Sequence, residues 1–338
     1  MKILLAADLH CEKGIKVNSV LNFLEETEKF YLENNLDYYF ILGDIFDKAS
    51  SVKNEAFIPL FLKLLSMKEK GIKFLFVLGN HDIYNTDNSS LVEVFAPIGK
   101  VIKNNTHSSK LDDFKDKDWW FVPYTKAEEE IPNTGEFLFS HLSILDGKLD
   151  NAYHATEKFA IKTDVFRGFE HVFVGHFHTH QTFKNITYIG SPHQLNRNDE
   201  NKVKGFVVLD TDTKDFEFHE FNNYPKFLTI SSSDLKQIGE IDFKNRLVYV
   251  NIDKKISDIS KLRYVLFERG AVSVTPIFSS EEKDIELENN IEYDGNIQKI
   301  AIEYIKNLNL EEVKGFDLDG VKKDILLKMF DKVVDETK

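Results

Sequence analysis

The chain has 338 residues, 42% of them hydrophobic, with 43 basic against 56 acidic side chains and a formal charge of −13. That length and apolar content suit a soluble globular protein of two domains with a sizeable core in the first, and the acidic balance argues against a generally sticky nucleic-acid binder. No apolar run approaches the ~20 residues that a membrane span needs, and a single cysteine, Cys11, rules out an internal disulfide and reads as a packed thiol.

The opening MKILLAADLH is a short strand pattern, with an acid where a signal peptide would have its cleavage site, so a cytoplasmic protein is expected. KILLAADLH (2 to 10), DYYFILGD (37 to 44), IKFLFVLGN (72 to 80), EFLFSH (136 to 141) and HVFVGH (171 to 176) share one design: an apolar run that stops on a residue of metal-binding type. Helical spacing fills the gaps between the first three, over roughly 17 to 35 (Val20, Leu21, Leu24) and 52 to 70 (Phe57, Leu60, Phe61, Leu64). Such alternation predicts parallel strands covered by helices. ITYIGS (186 to 191), KGFVVLD (204 to 210) and DFEFHEF (215 to 221) follow closely enough to predict an antiparallel meander. Together these elements predict an α/β sandwich in which two sheets pack face to face.

After NNYPKF (222 to 227) the pattern becomes a small β-α-β unit, RLVYVNI (246 to 252), SDISKLRYVLFERG (257 to 270) and AVSVTPIF (271 to 278). Three domains are expected: 1 to 225, a small 226 to 280, and a tail from 281 to 338. Residues 226 to 280 hold 9 bases and 6 acids and residues 281 to 338 hold 9 bases and 16 acids, so the small domain is the better surface for a polyanion. The tail has a charged link and two helical patterns, 297 to 308 and 318 to 336, the second striped with Val321, Ile325, Met329 and Val333. It suits folding back on its own domain and holding a partner equally.

Ligands of open α/β sheets sit beyond the carboxyl ends of the strands. Those ends carry Asp8 and His10, Asp44, Asn80 and His81, His141, then His176 and His178. Alternation of side chains along a strand turns Asp8 and His10 the same way, and likewise His176 and His178. The other six histidines, among them His193, are read as surface or hydrogen-bonded core residues. Carboxylates, imidazoles and one amide oxygen without thiolate favour Mn²⁺, Fe²⁺, Mg²⁺ or Zn²⁺ over a structural zinc cage. Seven donors exceed what one ion takes with a position left open, whereas two divalent ions sharing a bridging carboxylate use them all. That device cleaves phosphoesters. His81 is then free to give a proton to the departing oxygen, with Asp82 holding its tautomer. Glycines 43, 79 and 175 each precede one of these residues, where the backbone is expected to turn tightly.

DLH, GDIFD (43 to 47), GNHD (79 to 82), SH (140 to 141) and GHFH (175 to 178) resemble the ordered motifs of the calcineurin-like metallophosphoesterases. GDIFD lacks the ending usual in protein phosphatases. IGSPHQLNRNDENKVKGFVVLD (189 to 210) is similar to the segment after the last ligand in SbcD-type DNA-repair nucleases, partners of SbcC-type coiled-coil ATPases, and to the recombination nuclease subunits of tailed phages. The similarity is specific over residues 1 to 222. It implies an α/β/β/α metallophosphoesterase sandwich with a small α+β capping domain and C-terminal helices. It also implies one metal on Asp8, His10, Asp44 and His178, a second on Asp44, Asn80, His141 and His176, and His81 as proton donor. Manganese is the expected ion. A homodimer through helices near 52 to 66 and 89 to 96 (Phe57, Phe61, Leu91, Val94, Phe95), a cap that meets DNA, and a tail docked on the ATPase coiled coil are implied as well. His193 departs from the apolar or aromatic residue common after GSP, and Asn196 to Asn198 make the next turn polar. The function expected is that of a DNA nuclease subunit in recombination and repair. A nucleotide or protein phosphatase on the same fold, or a non-catalytic subunit that holds a partner, are the alternatives.

Overall fold

The computed structural model describes residues 1–48, 51–84, 89–150, 153–154, 160–234, 238–252 and 259–278, all within one compact unit, Met1–Ser279. The expected link and tail helices, 279 to 338, lie outside the described residues. The chain runs β1 (Lys2–Ala6), α1 (Ile15–Glu33), β2 (Tyr38–Leu42), α2 (Asn54–Glu69), β3 (Phe74–Val77), β4 (Gly99–Ile102), β5 (Thr106–His107), β6 (Trp119–Val122) and β7 (Gly135–His141). It continues through β8 (Lys148–Asp150), β9 (Tyr153–His154), β10 (Phe169–Gly175), β11 (Gln181–Phe183), β12 (Ile186–Tyr188), β13 (Gly205–Asp210) and β14 (Phe216–Glu220). β15 (Lys226–Ser231), β16 (Arg246–Ile252), α3 (Ile259–Glu268) and β17 (Ala271–Phe278) close the described chain.

Two six-stranded sheets result, in the orders β14-β13-β1-β2-β3-β4 and β11-β12-β10-β7-β6-β5. In the first, β1 to β4 are parallel and β13 and β14 add an antiparallel flank. In the second, β6, β7, β10 and β12 are parallel. The expected meander is therefore corrected at its first member. β13 and β14 do pair antiparallel, but β12 lies in the other sheet beside β10. The reason is length: residues 189 to 204 separate β12 from β13, enough chain to cross between sheets where a hairpin needs only a few residues.

Both faces of the first sheet are buried, which is why its strands read as unbroken apolar runs. Leu4, Ala6, Tyr39 and Ile41 face Val20, Phe23 and Leu24 of α1 and Leu60 and Leu64 of α2. Ile3, Leu5, Phe40 and Leu42 face Trp119, Phe121, Phe137, Phe139 and Phe173 of the second sheet. α1 is tied to β2 by the Thr27 and Tyr39 hydroxyls, 3.0 Å apart, and to α2 by Glu28, whose carboxylate meets Lys63 at 2.8 Å and also Lys70. On the outer side of the second sheet, Leu138, Val172 and Val174 pack with Ile144, Ile161 and Phe166 from the loops around β8 and β9. The sheet pair thus forms a two-sided α/β sandwich.

β16, α3 and β17 form the predicted β-α-β unit, and β15 adds a third parallel strand. Val248, Val250, Val274, Leu262 and Leu266 make its separate core. One of the suggested dimer residues proves to be ordinary core: Phe95 is fully buried among Phe46, Phe57, Phe61 and Phe76. Val94 is 40% exposed, and the most exposed apolar side chains of α2 are instead Ile58 and Leu62, at 51% and 57%.

Candidate metal centre

All seven proposed ligands lie where β1, β2, β3, β7 and β10 end, on one edge of the sandwich. The backbone there is not extended strand. Asp8, His10, Asp44 and His176 have φ values of 54°, 43°, 53° and 101°, a region that side chains other than glycine enter at a cost of about 1–3 kcal/mol each. Surrounding bonds impose it: Asp8 N–H donates to Gly43 O at 3.0 Å, His10 N–H to Asp44 O at 2.9 Å, and His176 N–H to Asp8 Oδ1 at 3.0 Å. So Asp8 and His10 converge because the chain turns twice, and the expectation that strand pleating aligns them is corrected. His176 and His178 likewise lie beyond the strand, since β10 ends at Gly175 and His176 has a φ of 101°, and they join two neighbouring donor groups.

Asp8, His10 and His178 present donor atoms within 4.8 Å of one another, and so do Asp44, His141 and His176. Asn80 completes the second group, with Oδ1 2.9 Å from His176 Nδ1 and 3.2 Å from His141 Nε2. Asp44 stands between the two, its Oδ2 3.3 Å from His141 Nε2 and 3.5 Å from His10 Nε2. His81 approaches the first group, with its ring 4.9 Å from that of His10, and joins His10 and Asp44 in a third set of neighbouring donors.

Partners behind the donors fix which ring nitrogen looks inward. His141 Nδ1 donates to Leu42 O at 2.8 Å, leaving Nε2 for the site. His81 Nδ1 lies 2.5 Å from Asp47 O, and His10 Nδ1 lies 3.4 Å from Asp47 Oδ1. Asp47, unrecognised in the sequence although it closes GDIFD, therefore supports both rings. Asp82 does not hold His81. Its Oδ1 accepts from Ile45 N at 3.0 Å and Phe46 N at 3.3 Å and its Oδ2 from Gly79 N at 3.0 Å, so this carboxylate ties the loops after β2 and β3 together. The glycines are needed mainly for room: a Cβ on Gly43, Gly79 or Gly175 would overlap His141, Asp44 or the Leu42 carbonyl respectively, and only Gly43, at φ 83°, also takes a left-handed turn.

Burial opposes ionisation of these groups, and their mutual charges then decide where protons sit. Burial raises the Asp44 carboxyl, yet the imidazoles of His141, His10 and His81 bring it well below the usual carboxylate range. Burial lowers His141, but Asp44 and Asp8 carry it up to about 9. Burial, helped by Asp44 and opposed by His141, pushes Asp8 up to about 6. Burial and neighbouring imidazoles push His176 down to about 3 and His178 lower still. The cluster holds a proton on His141, while His176 and His178 stay neutral; against the opposing effect of burial, His10 is raised by Asp47, Asp44 and Asp8.

A divalent cation fits this donor set. His10 Nε2 is buried with no hydrogen-bond partner, an orphan that a cation would complete. All donors are oxygen or imidazole nitrogen, suited to Mn²⁺, Fe²⁺, Mg²⁺ or Zn²⁺. Three of the histidines set aside in the sequence have partners outside the donor groups: His171 bonds Thr187 at 2.9 Å, His107 bonds Asp118 at 3.1 Å, and His193 is buried against backbone carbonyls. Cys11 is buried, its thiol pushed up to about 12 by burial.

A two-sheet sandwich with paired Asp/His donor groups at its strand ends defines a metallophosphoesterase. The model of the calcineurin-like phosphoesterases matches residues 1–180, which include every proposed ligand, and the chain belongs to that family. Exonuclease subunit 1 of Enterobacteria phage T4 is 28% identical over 333 residues, covering 90% of this chain and 92% of that one. Among solved structures, a dimetal phosphatase from Danio rerio is 11% identical with a TM-score of 0.37 over 62% of this chain and 91% of its own. An archaeal phosphodiesterase is 10% identical with a TM-score of 0.35 over 65% of this chain and 100% of its own. Among the described residues no helix is long and apolar enough to cross a membrane.

Proposed function

We propose that this chain is the nuclease subunit of an SbcCD-like ATP-dependent complex of DNA recombination and repair, hydrolysing phosphodiesters with two divalent cations, manganese foremost. The observation that carries this reading is the grouping of seven oxygen and nitrogen donors from five strand ends around one shared carboxylate, Asp44. The likeness to a phage exonuclease subunit along 90% of the chain supports DNA as the substrate.

Asp8, His10, Asp44 and His178 would hold one cation, and Asp44, Asn80, His141 and His176 the other. Two such cations supply Lewis acidity: they neutralise phosphate charge and acidify a water. The chain's own part is proton management and orientation. Attack of water on phosphorus breaks the bond to the 3′ oxygen, which leaves as an alkoxide and needs a proton. With Nδ1 turned to the Asp47 carbonyl, His81 presents Nε2 for that transfer. Buried imidazoles and the Leu42 and Asp47 anchors keep the donors preorganised, so little rearrangement accompanies the charge that develops in the transition state.

The small domain around β15 to β17 would cap the site and meet DNA, and residues 281 to 338 would dock on a coiled-coil ATPase. A homodimer would pair Ile58 and Leu62 of α2 and Val94 of the turn at Leu91–Phe95. The working compartment would be the cytoplasm, that of the host for a phage protein. The test is turnover with Mn²⁺ of duplex and single-stranded DNA against p-nitrophenyl phosphate and nucleoside monophosphates, with copurification of a large coiled-coil ATPase as the companion measurement. DNA cleaved far faster than monoesters is expected. Preference for monoesters would mean a phosphatase, and cations bound without any turnover a holding subunit.

A further inference from the structure

The crossing segment between β12 and β13 contributes no donor to the centre, yet it contains the one lysine or arginine that is fully buried among the described residues. Lys204 is 1% exposed and Asp199, its partner, 0%. Lys204 Nζ forms an ion pair with Asp199 Oδ1 at 3.0 Å and donates to Ser191 Oγ at 2.9 Å and to the carbonyl of His178 at 2.7 Å. Asp199 Oδ2 accepts from Leu195 N at 2.9 Å. Ser191 N–H donates to the same His178 carbonyl at 3.1 Å, and Ser191 Oγ to His193 O at 2.9 Å. Two residues beyond Ser191, the His193 ring is buried, with Nε2 3.2 Å from the carbonyl of Leu9, which lies between Asp8 and His10.

Taking an ammonium and a carboxylate out of water is costly, and an apolar pair of equal volume often stabilises a fold as well or better. A buried ion pair is therefore weak evidence of a purely stabilising role for Lys204. What an apolar residue cannot do is donate to the His178 carbonyl. Lys204 and Ser191 end on the main-chain carbonyl of His178, and His193 on that of Leu9, the residue between Asp8 and His10 of the first donor group (Asp8, His10, His178). In the second group, the His141 ring has its own anchor in Leu42 O.

We propose that Lys204, fixed by Asp199, is a positioning residue that sets His178, and that the segment 191 to 204 selectively preorganises the first cation's donors. His193, a departure from the apolar residue common after GSP, belongs to the same brace through Leu9. This rests on the two-cation reading above.

The test is calorimetric titration of the full chain with Mn²⁺, read beside electron paramagnetic resonance of the bound ion, for the parent and for Lys204→Met, which keeps the stem and removes the charge. Loss of a partner behind a metal ligand typically weakens affinity about 10–100-fold. That loss is expected in one of the two binding steps only, and it persists in an Asn80→Ala background, where the second group already lacks a donor. Equal weakening of both steps, or none, overturns the proposal. Should Lys204→Met fail to fold, Ser191→Ala removes one partner of Nζ at little steric cost. A weakening confined to the same step is expected there, and unchanged affinity overturns the proposal. A parent chain that binds no pair of cations would instead defeat the underlying reading.

Discussion

Gly175 closes β10 directly opposite His141 of β7, and Gly175→Ala tests whether the space it leaves is what orients the second donor group. A Cβ at this position would overlap the Leu42 carbonyl and come within 2.7 Å of His141 Nδ1 and 3.0 Å of Ala7 Cβ. It would touch no inward-facing donor atom, but it would wedge apart the 2.8 Å bond between His141 Nδ1 and Leu42 O. Leaving those buried groups unpaired costs about 1–3 kcal/mol, and forcing a methyl into a packed core about 1–3 kcal/mol more. Their sum, about 2–6 kcal/mol, corresponds to a melting-point drop of roughly 4–12 °C at about 2 °C per kcal/mol for a chain of this size. The assay is thermal unfolding of the metal-free protein with a parallel Mn²⁺ titration, where affinity should fall about 10–100-fold as the ring loses its orienting partner. Gly239→Ala is the control, since a Cβ there meets nothing within 4 Å. A melting point and an affinity that match this control would refute the packing argument.

Three other outcomes follow from the site. His81→Gln is expected to keep both cations and to slow DNA cleavage by about 10²–10⁴, the usual worth of a general acid; parental rates would remove His81 from the chemistry. Asp47→Asn leaves the carbonyl that holds His81 but takes the charge from behind His10, so Mn²⁺ binding should weaken about 10–100-fold by calorimetry, and an unaltered isotherm would show that Asp47 is only structural. Cation binding should release a proton near neutral pH, because the metal-free site keeps one on His141, whose pKa is about 9, and the loaded site cannot. Affinity then rises by about tenfold per pH unit up to that pKa and levels off above it. The fall should steepen at lower pH as His10, raised by Asp47 and Asp44 against its burial, and then Asp8, near 6, also take protons. Calorimetry in two buffers of different ionisation heat counts the proton, and a count of zero would contradict the assignment.

The parts of the fold that the sequence displays are those with a local period. Tyr38 to Leu42 is buried on both faces, and it reads as a central parallel strand because no polar residue interrupts it. Val20, Leu24, Leu60 and Leu64 repeat at helical spacing, and α1 and α2 follow within two residues of the predicted limits. The side chains that converge at the site are legible because each breaks an apolar run at its carboxyl end, a position with few structural uses for a buried imidazole. The side assignment of β12 is not, since Ile186 to Tyr188 is equally apolar for either sheet and only the crossing segment that follows decides.

What was hidden has one physical character: it runs through backbone atoms, which are the same at every position. Asp82 looked like a partner for its neighbour His81, but three amide groups from two loops claim it. Asp47 reaches His81 through its carbonyl, an interaction to which its side chain gives no clue. Lys204 meets the His178 carbonyl across 26 residues, and in sequence it is one more base in a charged turn. The same dependence explains the left-handed φ of four of the proposed ligands. The loops after β1 and β2 bond to each other, main chain to main chain, and the turns this forces are what bring Asp8, His10 and Asp44 around a common point. The identity of the proposed donors is thus written in side chains, whereas their geometry is written in which carbonyls the neighbouring loops offer. A chain that kept all seven donors and lost Gly43 or Gly175 would retain the first and lose the second.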